Sequence, residues 1–491
     1  MLVQCLGCKP SLARRAYGPM MAAAIAMTVA LVATAQNEEP APLTSGVWQG
    51  AMGPWTIVLE FSGSGGERIE GVAHILEGSH KWTEATVTQV VVEPSLLAWH
   101  LGWGSSWKMD FRGRIDLAAG SMEGDLSGLA ASAVPMRFER ADPDAIAGLR
   151  ARPGSAEYGW SRPPETGDGW PTAAPGENSL QQSQIEDLVR AILRGEAGDI
   201  HSVLIAEGNA LVAEEYFHGW AREELHGVAS CTKSVTSLLV GRALDDGLLP
   251  ALTTPVLELV SGLADESGAG WESVRLEHLL TMTAGLDRAE SAEVEAPRRS
   301  LFLSLLDLPV RHPPGSHWQY ANADVDLFGA ILRNATGVDA DDYAASVLFG
   351  PLGIERWEWP KGDGPFPSMS AGLKLRPRDL AKIGMLVSGR GQWQGQRVVS
   401  ESWIERSTQG RVAIPERMER YGYLWWSVVP PEAPERFRVV YAIGVGSQFV
   451  FVVPALDWVV TITGGNQANG QLMAIRDLVF RYLLSPRALP R

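Results

Sequence analysis

The chain has 491 residues, a formal charge of −15 at pH 7 and a hydrophobic content of 45%. This length exceeds that of one ordinary domain, and the apolar content is enough to bury more than one core, so two or three domains are expected. The acidic balance disfavours nucleic acids and anionic membrane surfaces as partners.

Residues 1–35 have the pattern of a secretory signal peptide. Lys9, Arg14 and Arg15 precede an apolar run over 20–32, and the small residues 33–35 offer a cleavage site. The pattern predicts a periplasmic or secreted protein with no integral membrane domain. An uncleaved leader that anchors the chain is the alternative, although the apolar run is short for a membrane span.

Cysteine usage is sparse. Cys5 and Cys8 lie in the leader, which leaves Cys231 as the only thiol of the processed chain. No intramolecular disulfide is then expected, and Cys231 is predicted to be a small core residue.

Residues 44–140 are predicted to form a small all-β barrel or sandwich. Trp55, Ile57, Leu59 and Phe61 alternate with polar or smaller residues, and Gly-rich turns separate several similar short segments. Six of the 18 tryptophans lie in this region, where they either fill a β core or line an aromatic ligand pocket. The predicted strands cover 55–62, 69–76, 83–92, 96–101, 107–115 and 134–139.

A Pro- and Gly-rich stretch, 141–178, is predicted to be a linker to a second domain over 179–491. In that domain, a helix over 179–194 is followed by two strands around the turn Gly208-Asn209, which is a strong hairpin signal. Strands return near the end of the chain, before a helix over 471–484. This order predicts an α+β domain whose mainly antiparallel sheet is assembled from both ends of the domain. The predicted strands cover 202–206, 210–217, 421–427, 438–443, 447–453 and 458–463.

The segment 228–247 carries the first catalytic candidate, Ser230. Its apolar residues recur at helical spacing, Ser230 is a typical N-cap residue, and Gly247 is placed to end the helix. Lys233 then lies one turn from Ser230, where side chains are neighbours about 5 to 6 Å apart at Cβ. A serine hydroxyl needs such a partner to become a nucleophile.

The choice of lysine is informative because the chain has only seven lysines. An arginine cannot act as a base, whereas burial lowers the pKa of a lysine from about 10.4 towards neutrality. A second Ser-x-x-Lys pair, Ser105 and Lys108, lies in a strand-like stretch, where residues three apart point to opposite faces. That pair is predicted to be structural.

Two further stretches complete the constellation. Residues 313–322 place Tyr320 and Asn322 two apart in a loop before an amphipathic helix over 324–335, and residues 442–448 lead into a strand. With the Ser230 helix, this set resembles the serine β-lactamase and penicillin-binding-protein superfamily. The Tyr-x-Asn form is similar to the class C branch, which includes esterases, D-aminopeptidases and 6-aminohexanoate-oligomer hydrolases. The resemblance covers about 180–485 and includes connecting segments at 279–286, 375–384 and 421–426.

The resemblance implies a role for each matching residue. Ser230 would be the acylated nucleophile. Lys233 and Tyr320 would share its proton, while Asn322 would hold Lys233 and the substrate. The backbone N–H groups of Ser230 and Val445 would form the oxyanion hole. A phenol near pKa 10 beside a lysine can supply general base catalysis without histidine.

The third motif departs from the family's pattern. Where β-lactamases have Lys-Thr-Gly or a similar polar triplet, this chain has Ala442, Ile443 and Gly444. Ile443 and Gly444 remain substrate-binding candidates, because a glycine at the sheet edge lets the backbone approach the substrate. The cation and hydroxyl that would hold a substrate carboxylate are missing, which removes contacts worth about 1.5 to 3 kcal/mol each. The acyl pocket is therefore predicted to be apolar, with six aromatic residues as candidates for its lining: Tyr421, Tyr423, Trp425, Trp426, Tyr441 and Phe449.

The resemblance implies an α+β, β-lactamase-like fold, in which an antiparallel sheet with helices and a helical subdomain follows the separate small all-β domain. The predicted function is that of an exported serine hydrolase that cleaves a small neutral ester or amide through an acyl-serine intermediate. A β-lactamase, a D-Ala-D-Ala-type peptidase and a non-catalytic envelope binding protein are the alternatives. No metal or other cofactor is expected, since the chain has no His-Glu-x-x-His and its nine histidines show no ligand spacing. The oligomeric state is left open.

Overall fold

The structure of the chain is a computed structural model. The predicted leader with Cys5 and Cys8, and Ser105 of the second Ser-x-x-Lys pair, lie outside the residues that it describes. None of the described helices combines the length and the apolar composition needed to cross a bilayer. The described residues are 45–52, 55–62, 69–77, 80–93, 96–103, 107–116, 119–128, 133–141, 158–176, 180–260, 267–286, 308–361, 365–414, 417–466 and 469–485.

The first part of the chain folds as a closed barrel of eight antiparallel strands, which confirms the predicted all-β domain. Each strand pairs with the next along the chain, and the last strand pairs with the first. The prediction overlooked the first strand and the seventh, which has only two apolar residues, Met122 and Leu126. The strands are β1 (Ser45–Met52), β2 (Trp55–Ser62), β3 (Glu70–Glu77), β4 (His80–Glu93), β5 (Leu96–Trp103), β6 (Trp107–Asp116), β7 (Ser121–Ser127) and β8 (Val134–Ala141).

Large side chains fill the barrel. Trp48, Trp99, Phe111 and Phe138 are fully buried, and the rings of Trp99 and Phe111 stack with their centroids 4.8 Å apart. Trp48 and Trp99 are therefore part of a packed core and do not line a ligand pocket.

An antiparallel sheet organises the second part of the chain. Its long strands are β9 (Ile200–Glu207), β10 (Ala210–Tyr216), β19 (Val439–Gly444), β20 (Gln448–Val453) and β21 (Trp458–Gly464). The described residues of the second part of the chain also form eight shorter strands, of which only the last three belong to this sheet. They are β11 (His226–Gly227), β12 (Trp357–Glu358), β13 (Lys374–Leu375), β14 (Gln392–Trp393), β15 (Gln396–Arg397), β16 (Val412–Ala413), β17 (Arg420–Tyr421) and β18 (Trp426–Val428).

The sheet has the order β10-β9-β21-β20-β19-β18-β17-β16, so strands from both ends of the region lie side by side as predicted. Glu207 pairs with Ala210 around the two-residue turn Gly208-Asn209, which confirms the hairpin. β11, β12 and β13 form a small separate sheet, and β14 pairs with β15.

Helices cover this sheet and fill the region between its two sets of strands. The helix predicted over 324–335 is divided at Leu327, and the C-terminal helix predicted over 471–484 is divided at Met473. The helices are α1 (Gln182–Leu193), α2 (Thr232–Asp245), α3 (Val256–Leu259), α4 (Leu276–Leu280), α5 (Asn322–Asp326), α6 (Phe328–Thr336), α7 (Ala340–Ala344), α8 (Pro377–Ser388), α9 (Glu401–Thr408), α10 (Asn469–Leu472) and α11 (Ala474–Leu483).

The C-terminal part of the predicted linker packs into the second domain. Over 158–176, Tyr158 and Trp170 are buried in the core of that domain, and the indole of Trp170 donates to the Asn209 carbonyl at 3.0 Å. Asp168 forms a 2.9 Å ion pair with buried Arg378. The boundary predicted at 178 is corrected accordingly, because Pro and Gly frequency does not reveal single aromatic residues that anchor a segment.

The barrel and the second domain meet at Gly465. The hydroxyl of Thr83, on β4, donates to the Gly465 carbonyl at 2.5 Å, and this contact is buried. The next residue, Asn466, pairs with Gly446 in the turn after β19. The barrel therefore contacts the segment beside the strand edge that carries Ile443 and Gly444.

Candidate active site

Ser230 lies in a 3₁₀ turn, Ala229–Cys231, that leads directly into α2. Ser230 thus lies beside the first turn of the helix as predicted, although Cys231 and not Ser230 is the N-cap residue. Ala229 has a left-handed backbone (φ 45°), which costs roughly 1 to 2 kcal/mol for a residue with a Cβ. The strained turn leaves the Ser230 side chain half-buried and directed at Lys233.

Lys233 contacts Ser230 as the spacing predicts. Its Nζ lies 2.9 Å from the Ser230 hydroxyl oxygen and donates to the Ser370 carbonyl at 2.7 Å. The lysine is only 2% exposed, and burial lowers its pKa to about 8, while the nearby charge of Asp326 acts in the opposite direction. The neutral amine is thus accessible near neutral pH, as a general base requires.

Tyr320 also lies beside the lysine. The Lys233 Nζ is 5.0 Å from the centre of the Tyr320 ring, which stacks on Trp426 with 6.0 Å between ring centroids. Trp318 packs against Trp426 at 5.8 Å. The structure therefore brings Ser230, Lys233 and Tyr320 together beside an aromatic wall.

The edge of β19 passes next to the nucleophile. A Cβ added to Gly444 would be 2.9 Å from the Ser230 amide nitrogen and 2.7 Å from the Val228 carbonyl oxygen, so only glycine fits there. Ile443 is partly buried, and Val445 is 54% exposed. The Ile443–Val445 stretch thus borders the Ser230 turn.

Asn322 does not hold Lys233 in this arrangement. It is the first residue of α5 and is exposed, and within the described part of the chain no hydrogen bond connects its side chain to the lysine. The Ser370 carbonyl makes that contact instead. Sequence reasoning missed Ser370 because a backbone carbonyl has no residue signature.

The six aromatic residues predicted to line the acyl pocket are all buried. Trp426 stacks on Tyr320. The Tyr423 hydroxyl instead donates to Glu277 at 2.6 Å, and the Tyr423 ring stacks on Trp403. Phe449 stacks on Phe451, the residue two further along β20. Tyr423 and Phe449 are therefore corrected to core positions.

Three other side chains that could supply chemistry have structural surroundings instead. Cys231 is buried, as predicted, and burial raises the pKa of its thiol. His226 contacts His201 at 2.8 Å between ring nitrogens, and burial lowers the pKa of His226 to about 4. Arg438 forms an ion pair with Glu435 at the start of β19, at the opposite end from Gly444.

Comparisons with known proteins match the second part of the chain. The family model described as Beta-lactamase matches residues 185–472, more than half of the chain. The 6-aminohexanoate-dimer hydrolase of Paenarthrobacter ureafaciens is 27% identical over 291 residues, which cover 52% of this chain and 70% of that protein.

Two solved structures show a similar fold. EstCE1, described as a hydrolase with promiscuous acyltransferase activity, has a TM-score of 0.51 and 17% identity, and the match covers 61% of this chain and 99% of EstCE1. The octameric penicillin-binding protein homologue from Pyrococcus abyssi has a TM-score of 0.51 and 20% identity, with 62% of this chain and 79% of that chain covered. The barrel, residues 45–141, lies outside the family match.

Proposed function

The chain belongs to the β-lactamase family, and we propose that it is a serine hydrolase that cleaves small neutral esters or amides through an acyl intermediate on Ser230. The observation that carries the proposal is the 2.9 Å contact between the Ser230 hydroxyl and Lys233, a buried amine whose pKa is lowered to about 8. A hydroxyl held against a base with a pKa close to working pH is the arrangement that acyl transfer requires.

Lys233 is the base for acylation in this proposal. Its neutral amine takes the Ser230 proton as Oγ attacks the substrate carbonyl carbon, and the N–H groups of Ser230 and Val445 stabilise the oxyanion. The bond to the leaving group then breaks, and the leaving alcohol or amine takes the proton from Lys233, directly or through Tyr320. Water hydrolyses the acyl-serine ester by the reverse sequence of proton transfers and releases the acid.

The strand edge favours a neutral substrate. Ile443 lies where a polar side chain would otherwise face the substrate, and Arg438 is paired with Glu435 at the far end of β19. From Arg438 to Ala442 the chain advances four residues, about 13 Å along an extended strand. Arg438 therefore does not replace the missing lysine.

The names of two similar proteins describe hydrolysis and acyl transfer. The curated relative is named for the hydrolysis of 6-aminohexanoate dimer, and EstCE1 is named as a hydrolase with promiscuous acyltransferase activity. A serine that forms an acyl intermediate beside a strand edge without a cation suits a neutral ester and a neutral amide equally.

Comparison of two substrates on one enzyme preparation tests this proposal. We expect kcat/KM for a p-nitrophenyl ester to exceed that for a chromogenic cephalosporin by at least ~10²-fold, because losing two carboxylate contacts removes about 3 kcal/mol of transition-state binding. Cephalosporin hydrolysis as fast as ester hydrolysis would show that the site accepts anionic substrates. No turnover of any ester or amide by folded protein would favour a non-catalytic binding protein.

We also propose that the chain is exported, on the basis of the leader pattern over 1–35. The mature protein recovered from the periplasm or the medium should begin at Gln36. Full-length protein confined to the cytoplasm would contradict export.

A further inference from the structure

The carboxylate of Asp326, the last residue of α5, binds a loop from a distant part of the chain. It accepts hydrogen bonds from the Ser370 backbone N–H at 2.9 Å, from the Ser370 hydroxyl at 3.0 Å and from the Ser368 hydroxyl at 2.9 Å. Hydrogen bonds to a charged acceptor are stronger than neutral ones, so the two from Ser370 and the one from Ser368 together fix the loop that carries Ser370.

The loop fixed in this way presents the Ser370 carbonyl to the catalytic lysine. Lys233 Nζ donates to that carbonyl at 2.7 Å, and both Lys233 and Ser370 are only 2% exposed. A neutral amine has two N–H bonds and one lone pair. When Ser370 accepts one of the N–H bonds, the orientation of the amine is restricted, and the lone pair can face the Ser230 hydroxyl 2.9 Å away.

Asp326 also acts on Lys233 through its charge. The carboxylate raises the pKa of Lys233 and so opposes the larger lowering by burial. The other titratable groups that face the amine are Tyr320 and Cys231, and the Cys231 thiol stays neutral because burial raises its pKa. Within the described residues, Asp326 is therefore the anionic group that balances the buried ammonium.

We propose that Asp326 is the positioning residue for Lys233, taking over through Ser370 the role that the family resemblance assigns to Asn322. This inference rests on the proposed function, since it needs Lys233 to act as the base. Asp326 does not touch the substrate in this account. It holds the carbonyl that orients the amine and sets the pH range in which the amine is neutral.

Two substitutions separate the effect of the Asp326 charge from the effect of its hydrogen bonds to the loop. Asp326→Asn removes the charge and keeps the side-chain size, whereas Asp326→Glu keeps the charge and displaces the loop. Asp339→Asn is a matched control, because Asp339 pairs with Arg333 and Lys361 away from the site. Each variant is compared with the wild-type chain by kcat, KM and the pH profile of p-nitrophenyl ester hydrolysis, and by thermal unfolding.

We expect Asp326→Asn to lower kcat roughly ten- to hundredfold with little change in KM, since misplacement of a catalytic group by about 1 Å costs up to ~10²-fold. The acidic limb of its kcat/KM profile should move to lower pH, because loss of a negative charge disfavours the ammonium form. Asp326→Glu should also lower kcat but leave the acidic limb near its wild-type position. The Asp339→Asn control should keep the wild-type kcat and the wild-type position of the acidic limb.

The two proposals fail in different ways. Folded Asp326→Asn protein with wild-type kcat and an unmoved acidic limb would overturn the positioning role alone. A lower kcat accompanied only by a lower unfolding temperature and an unmoved limb would likewise reduce Asp326 to a structural residue. A folded wild-type chain without ester or amide hydrolysis would overturn both the proposed function and this inference.

Discussion

Gly444 packs directly against the backbone of Ser230. A Cβ on Gly444 would be 2.9 Å from the Ser230 nitrogen, closer than real Cβ contacts. We expect Gly444→Ala to push β19 away from the nucleophile and to lower kcat/KM by at least ~10²-fold, because the predicted oxyanion donors would separate. Gly159→Ala is a matched control, since a Cβ there meets nothing within 4 Å. Ester kinetics on both variants checks this, and wild-type activity in Gly444→Ala would contradict the placement of the oxyanion edge.

The chemistry of Lys233 can be separated from its charge. If Lys233 must release a proton, Lys233→Arg should lose activity about as severely as Lys233→Ala, by roughly 10²- to 10⁴-fold, because a guanidinium stays protonated. The kcat of both variants on one ester provides the comparison. An arginine variant with near wild-type turnover would mean that only a positive charge is needed.

The pH dependence of kcat/KM should show the titration of Lys233. Burial lowers the pKa of Lys233 to about 8, so the neutral base is scarce below that value and becomes dominant above it. We therefore expect kcat/KM to rise with pH through an apparent pKa of about 8 in the free enzyme. A rise centred near 6.5 instead would indicate a histidine base, and the assignment to Lys233 would fail.

Truncation tests where the second domain begins. A chain that starts at residue 175 lacks Tyr158, Trp170 and the Asp168 partner of Arg378, whereas a chain that starts at residue 156 keeps them. We expect the shorter chain to be less stable by at least about 3 kcal/mol, the cost of losing a buried tryptophan. Denaturant unfolding of both chains measures this difference, and equal stability would contradict the role of 158–176.

The chain that starts at residue 156 also tests whether the barrel is needed for activity. It should hydrolyse small esters at near the full-length rate, since the residues of the candidate site lie within the family match. Folded but inactive protein would show that the barrel completes the site, and the buried contact between Thr83 and Gly465 would be the first place to examine.

Local relationships in the site were predictable from sequence. Ser230 and Lys233 are three residues apart, and a helix brings such side chains together whatever the rest of the fold does. Gly444 was predictable for a similar reason, because a glycine between a strand and a turn indicates close backbone approach. The all-β character of the first domain followed from alternation in its strongly patterned strands, whereas β1 and β7 were missed and the choice between barrel and sandwich was left open.

Other features depend on contacts that no short pattern carries. Ser370 is 137 residues from Lys233 and meets it through a backbone carbonyl, so its residue type gives no signal. The exposed position of Asn322 was also hidden, because a motif specifies residue types but not the directions of side chains. Tyr423 and Phe449 were misplaced because an aromatic residue near the site can equally belong to the core, where Tyr423 stacks on Trp403 and Phe449 stacks on Phe451.

The most direct test of the account is mass spectrometry of the protein after incubation with a fluorophosphonate. We predict one covalent adduct per chain, located on the peptide that contains Ser230. The adduct should be absent from Ser230→Ala, while Ser402→Ala, which changes an exposed serine hydrogen-bonded to Ser400, should label like the wild type. No adduct on folded protein, or an adduct on a serine other than Ser230, would contradict the assignment of Ser230 as the nucleophile.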